Sequence, residues 1–327
     1  MKFKGFILLI FMLFVLACER YDDSGVEMLD CESWDVGFGL ASGSCVVYED
    51  TLYVLFGREE GQSAKLPSKK MRFAWLGNLG SFEEVELPID ARVNGAAVVV
   101  GDKMYAGLGF CGGAYGENSV LCDWWSYDFV TRECKRLSDL PKQESIASIV
   151  WSDGDYIYSA LGFGNNFGRA VYRYSIVDDK WELYSTISDM LVRADAVGCR
   201  VGDYVYMGAG YGIEMRDDWW KYDWHKDVCL RCKKMPGAGR VFSSAVPIGN
   251  NVYVLGGRYF GGTETREHFY ETVVVYDADA DEWRTVGRME QAAENMIAWE
   301  YEGDLYWGLG QCQDGSFVRK IYRRDMK

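Results

Sequence analysis

The chain repeats itself at intervals of about fifty residues, and no other feature restricts its fold as much. The stretch from Arg193 to Pro236 shows one unit whole: an apolar run, a Gly202-Asp203 turn, and a second apolar run ending in Gly208-Ala209-Gly210. A polar break follows, then an aromatic run opening at Trp219-Trp220, a turn, and a last run to Cys232. Each run is one strand long, and each break carries residues that accept turn dihedrals. Tyr206 of this unit recurs as Tyr53, Tyr105, Tyr158, Tyr253 and Tyr306. The aromatic of the third strand recurs as Trp75, Tyr127, Tyr174, Tyr222, Tyr276 and Tyr322. Seven residues further along lie Phe82, Cys134, Trp181, Cys229 and Trp283, whereas the sixth counterpart would fall beyond Lys327.

The missing strand has a source. Glu32-Ser33-Trp34-Asp35-Val36 resembles Asp281 to Val286 around Trp283, and it stands just before the first inner strand, Ser44 to Tyr48. The sixth unit is expected to borrow its outer strand from this segment, which joins the two ends of a ring and leaves no open edge between them. The expected fold is therefore all-β: one six-bladed propeller over residues 31–327, four antiparallel strands per blade, the last closed by the N-terminal strand. A chain of 327 residues would suggest two domains by length alone, yet no Pro- or Gly-Ser-rich linker divides it.

Arg240, Gly256-Gly257, Tyr276-Asp277 and Trp283 together resemble the kelch repeat. The resemblance extends over nearly everything after Cys31, with the double glycine degenerate elsewhere, as in Gly107-Leu108-Gly109 and Gly308-Leu309-Gly310. It implies a kelch-type propeller and leaves activity open, because such propellers host unrelated functions.

Ahead of the repeats, Lys2 and Lys4 precede an apolar run from Phe6 to Ala17. A bilayer span takes about twenty residues, so this run suits a secretory signal instead. Its end, Val15-Leu16-Ala17-Cys18, resembles a bacterial lipobox, which implies cleavage after residue 17 and lipidation of Cys18. Residues 18–30 then form a polar tether, and Asp22-Asp23 resembles the export signal of some Bacteroidetes surface lipoproteins. The expected location is the outer membrane of a cell envelope, with membrane contact only through the lipid. The chain carries 49 acidic against 35 basic residues and a net charge of −14, a field that repels phosphate backbones and argues against nucleic acid as a partner.

Of the ten cysteines, setting Cys18 aside leaves an odd number in a compartment that favours disulfides. Cys111 and Cys122 bracket the long loop of the second unit and are the expected bridge; Cys31 with Cys312 is a second candidate. Cys134 and Cys229 stand where tryptophan stands elsewhere, so packing accounts for them. His225, Cys229 and Cys232 make an H-x3-C-x2-C string without a fourth zinc ligand, and an offset of three on a strand sends two cysteines to opposite faces. Galactose oxidase is a kelch propeller with two histidine copper ligands; here His225 and His268 fall in turns on opposite faces. No metal and no cofactor is expected.

The remaining candidates lie on the face built by the loops between second and third strands and by the blade-to-blade connections. Arg92, Arg193 and Arg240 each open an inner strand, with Asn94, Glu144, Glu294 and Asn295 at a similar level; the loops add Arg58, Asn165, Asn166, Tyr211, Arg258, Tyr259 and Gln311. Guanidinium groups grip carboxylates, and amides with aromatics suit sugars. Arg92, Asn94, Arg193, Arg240, Arg258 and Asn295 are the expected ligand contacts, although an arginine at this repeat position also serves as framework. Asp123 and Asp218, ahead of Trp124-Trp125 and Trp219-Trp220, read as loop caps. The favoured expectation is a non-catalytic propeller that binds a glycan or other polar ligand at its mouth. The alternatives are a sugar isomerase similar to bacterial sialate mutarotases, with Glu144 or Glu294 moving the proton, and a scaffold for a surface protein complex.

Overall fold

The computed structural model describes residues 25–62, 67–112, 119–142, 144–164, 167–190, 192–261 and 267–326. The signal run and Cys18 lie outside them, as do Asn165 and Asn166.

Six four-stranded antiparallel sheets form the ring. Their innermost strands are Leu40–Tyr48, Ala96–Val100, Ile149–Ser152, Val197–Val201, Ser244–Ile248 and Ile297–Tyr301, and each blade then runs outward in chain order. The sixth blade alone is discontinuous. After Ile297–Tyr301, Asp304–Gly308 and Lys320–Arg324 comes Glu32–Asp35, which pairs with Lys320–Arg324 so that Ser33 faces Tyr322 and Trp34 faces Ile321. The chain's two ends are thus hydrogen-bonded neighbours, and the first and sixth blades meet as any other pair.

The core is not one mass but six apolar wedges, one between each pair of blades. Period-two alternation places the tyrosine of each second strand toward the following blade. Tyr105 therefore meets Tyr174 at 6.3 Å and Tyr206 meets Tyr276 at 5.4 Å between ring centroids. Trp124 and Trp219 are fully buried and meet Trp181 and Trp283 edge-on at 5.5 and 5.3 Å.

Three landmarks are out of register, Tyr322 among them, since Leu305, the residue before Tyr306, pairs with Arg324. Leu52, the residue before Tyr53, pairs with Ala74, whereas Met104, the residue before Tyr105, pairs with Tyr127. Ala74 thus holds the inward place in the first blade, and Trp75, one residue on, is turned out to 62% exposure. In the closing strand, Glu32 pairs with Arg323, so the place that Trp283 fills in the fifth blade goes to Cys31, which packs in the wedge between fifth and sixth blades. Trp34 packs instead between sixth and first. The propeller also reaches further toward the N-terminus than expected. Leu29 is buried, and its backbone N–H donates to the Arg288 carbonyl at 2.8 Å.

The thiols of the second blade's long loop have carbonyl neighbours. The Cys122 thiol is directed at the Lys142 carbonyl at 3.5 Å and the Cys111 thiol at the Gly112 carbonyl at 3.6 Å. Cys229 and Cys232 pack into different wedges, as alternation along the strand requires.

Candidate functional site

The site begins where each inner strand begins. One residue per blade there holds a left-handed backbone: Ser42, Asn94, Ala147, Asp195, Phe242 and Asn295, with φ between 50° and 60°. Only glycine, asparagine and aspartate visit this region readily, so the repetition marks a backbone device that outranks side-chain preference. The device is a belt. The N–H of Asn94 donates to the Ser42 carbonyl at 3.0 Å, Ala147 to Asn94 at 2.9 Å, Asn295 to Phe242 at 2.9 Å, and Ser42 to Asn295 at 3.0 Å. The degenerate double glycine stitches the same level. Gly210 N–H donates to the Arg240 carbonyl of the next blade at 2.8 Å; its φ is +88°, and a Cβ there would stand 2.5 Å from the Ala194 oxygen.

Three of the six expected ligand contacts belong to this framework. Arg92, Arg193 and Arg240 are at most 1% exposed, so none reaches the mouth. Arg92 binds Asp123 through two hydrogen bonds of 2.8 Å, and Arg193 binds Asp218 at 2.6 and 2.7 Å. Each also donates to the carbonyl at the end of its own second strand, Leu108 or Ala209, at 2.9 Å. The Trp125 and Trp220 indole N–H groups complete the two acids. Burial works against ionisation of Asp123 and Asp218, but the arginine hydrogen bonds and charge outweigh it and hold both carboxyls below their ordinary range. In the fifth blade Thr272 replaces the acid, and Arg240 stacks on the Tyr270 ring at 3.9 Å. The side chains that could have gripped a ligand carboxylate are consumed in holding strands together.

Of the other three expected contacts, two line the axis and Arg258 lies beside it. Asn94 and Asn295 line a cavity of about 160 Å³ together with Ser42, Ser148, Asp195 and Phe242. Arg258 stands above it, with Nε 2.8 Å from Glu294 Oε2, Nη1 3.2 Å from Glu267, and its guanidinium 4.7 Å from the Phe260 ring. Glu294 is buried, and burial raises its pKa against the pull of Arg258. Arg58 donates to the Gln311 side chain at the same rim. Glu144 lies on a short ribbon with Phe163–Gly164, and its side chain is outside the described residues. His268 is on this rim beside Tyr259 and Tyr270, while His225 stacks on Trp224 in a turn of the other face.

The rim is therefore divided. One arc, from blades one, five and six, carries Arg58, Arg258, Glu294 and Gln311. The next arc, from blades three to five, carries Phe167, Tyr211 and Phe260, which expose about two-fifths of their surface; Tyr211 and Phe260 meet edge-on at 5.8 Å, and Phe260 adjoins Arg258 where the arcs meet. Below the cavity the channel continues as a space of about 250 Å³ between inner strands rich in Gly, Ala and Ser.

Asp195 is the residue that sequence reasoning passed over. Its Oδ1 is shielded from solvent and has no hydrogen-bond partner, and burial, then the charge of Glu294, push its pKa up to about 7 with Arg258 opposing. The sequence carries a signal for it: Arg92-Val93-Asn94 and Arg193-Ala194-Asp195 are the same repeat position, so Asp195 stands where Asn94 stands two blades earlier.

Comparison with known proteins agrees with this architecture. A kelch motif matches residues 239–290. Over 241 residues the chain is 25% identical to Kelch domain-containing protein 3 of Rattus norvegicus, covering 66% of this chain and 63% of that protein, so the match spans less than two thirds of this relative. Over 139 residues it is 31% identical to Kelch repeat protein C2 of cowpox virus, covering 38% of this chain and 24% of the viral protein. The solved structure titled Structure of YjhT superposes with a TM-score of 0.73 over 89% of this chain and 99% of that one, and its 13% identity makes this a likeness of fold. The chain thus carries a kelch motif on a six-bladed β-propeller and is similar to kelch-domain proteins.

Proposed function

We propose that this protein is a binding propeller that holds a glycan or other polar ligand, without chemical turnover, where the central channel opens among the loops between second and third strands. The observation that carries the reading is the divided rim above the axial cavity. Ion-paired and amide groups stand on one rim with exposed aromatic rings, and hydroxyl-bearing rings with one apolar face need that combination. Envelope anchoring through a lipidated Cys18 is part of the proposal, supported by Lys2, Lys4 and the apolar run ending at Ala17. A thermal-shift screen against neutral, acidic and amino sugars tests the site: a sugar-specific rise in Tm that Arg258→Ala abolishes is expected. No shift with any sugar would refute it. Loss of metabolic lipid labelling in Cys18→Ala tests the anchor.

Glu294 favours a second reading. A buried carboxyl with a raised pKa, beside an arginine at the rim, has the properties of a proton shuttle. On that reading the protein resembles the sialate mutarotases in activity as well as architecture, and it would speed the return of a freshly dissolved single anomer to equilibrium, followed by NMR. Glu294→Gln would remove the acceleration and leave binding intact.

A further inference from the structure

Among the described residues, Asp195 is the sole ionisable side chain on the wall of the axial cavity, and the channel beneath it has no arginine, lysine or histidine along its lining. The cations nearest the axis have other engagements: Arg258 with Glu294 and Glu267, Arg58 with Gln311. The framework arginines are sealed inside the blades. A carboxylate held there with Oδ1 shielded and unpartnered lacks the hydrogen bonds that buried oxygens otherwise find. In the neighbouring blade Ser148 Oγ, also on the cavity wall, is shielded and unpartnered in the same way. The cavity wall therefore carries one carboxylate and one hydroxyl with unmet hydrogen-bonding capacity, with the Asn94 and Asn295 side chains beside them.

We infer that the axial cavity is a site for a primary ammonium group, with Asp195 as its counter-ion and Ser148 as a second acceptor, so that the ligand at the mouth is an amino sugar carrying a free amine. This rests on the mouth being a sugar site. An –NH3⁺ group offers hydrogen-bond donors and one positive charge, which answers the unmet acceptors and the negative charge of this wall. A divalent cation matches it poorly, since it seeks several carboxylates, and among the described residues no three His, Cys, Asp or Glu side chains gather to hold a metal. A carboxylated sugar would set its charge against Asp195 and Glu294 unless Arg258 first left its partner. An N-acetylated amine has lost its charge and gained an acyl group that a cavity of about 160 Å³ would have to admit.

The experiment measures affinities of glucosamine, N-acetylglucosamine, glucose and ethanolamine by ligand-observed NMR at pH 7.5, with wild type and Asp195→Asn. Glucosamine is expected to bind at least tenfold more tightly than glucose or N-acetylglucosamine, and Asp195→Asn is expected to erase the difference. Equal affinity for glucosamine and glucose, or a preference that survives Asp195→Asn, overturns the ammonium site and leaves the sugar reading standing. Binding of ethanolamine but of no sugar, lost in Asp195→Asn, overturns the sugar reading and keeps the ammonium site. If none of the four binds, both fall. A thermal melt of Asp195→Asn at or above the wild-type Tm shows that the variant is folded.

Discussion

Asp218→Asn isolates the claim that the repeat-position arginines are framework. In the native protein, Arg193 is wholly buried, and Asp218 answers its charge through bonds of 2.6 and 2.7 Å. Asparagine keeps the size of the side chain and its bond to the Trp220 indole, while removing the charge and one of the two acceptors. What remains is a guanidinium buried in the wall of a blade with no counter-ion. Breaking a buried pair in this way costs about 3–5 kcal/mol. At about 2 °C per kcal/mol for a chain above two hundred residues, that is a fall in Tm of roughly 6–10 °C. Urea unfolding followed by tryptophan fluorescence, with a thermal scan alongside, measures both quantities.

Two controls sharpen the result. Arg193→Met with Asp218→Leu removes both charges at similar volume and should recover most of the loss, because apolar replacement of a whole buried pair is close to neutral. The pH dependence has a defined sign. Asp218 is held below its unfolded value of about 3.9, so its stabilisation is full above that pH and disappears as pH falls through the depressed folded value. The gap between wild type and Asp218→Asn should therefore close on acidification. A loss below about 1 kcal/mol at pH 7, within the range of an exposed pair, would refute the framework assignment and return Arg193 to the candidates for ligand contact.

Asp195 carries the opposite sign: with a folded pKa of about 7, set by burial and Glu294 against Arg258, it favours the folded state below pH 4 and gives that up as pH rises toward 7. Asp195→Asn should be more stable than wild type at pH 8 by ~2–4 kcal/mol and lose that lead at pH 4.5, read from urea midpoints; a pH-independent difference contradicts the assignment. Deleting residues 25–36 leaves the outer edge of Lys320–Arg324 unpaired and should abolish the monomeric, cooperative transition in size-exclusion and denaturation experiments; an unchanged midpoint would mean that closure contributes nothing. Cys134→Trp places in the second blade the residue found at Trp181 and Trp283, beside a cavity of about 360 Å³ lined by Tyr53, Phe73, Tyr127 and Phe129, and should raise stability by ~0.5–2 kcal/mol. A fall would show that the first and second blades are already close enough to exclude an indole.

The parts of this protein legible in its sequence are those set by local alternation. A tyrosine every fifty residues and a turn at each Gly-Asp pair follow from strands that each bury one face, and they gave six blades and the identity of the closing strand. Register failed where the partner is distant or the marker is absent. The first blade puts alanine at the inward place of its third strand, so the aromatic next to it drew the eye. The closing strand pairs with residues nearly three hundred positions away, where spacing carries no information about which of two neighbouring side chains faces the core. The site failed for a different reason. An arginine in a repeat looks the same whether it meets a ligand or a carboxylate; what separates the cases is the Asp-Trp-Trp that follows in the second and fourth units and is lacking in the fifth, where Tyr270 takes its place. Once those acids are assigned to Arg92 and Arg193, and Glu294 to Arg258, the acid left over at this level among the described residues is Asp195, with no arginine of its own. The surplus charge on the axis, rather than the conspicuous guanidinium groups, is what this fold leaves to be met by a ligand.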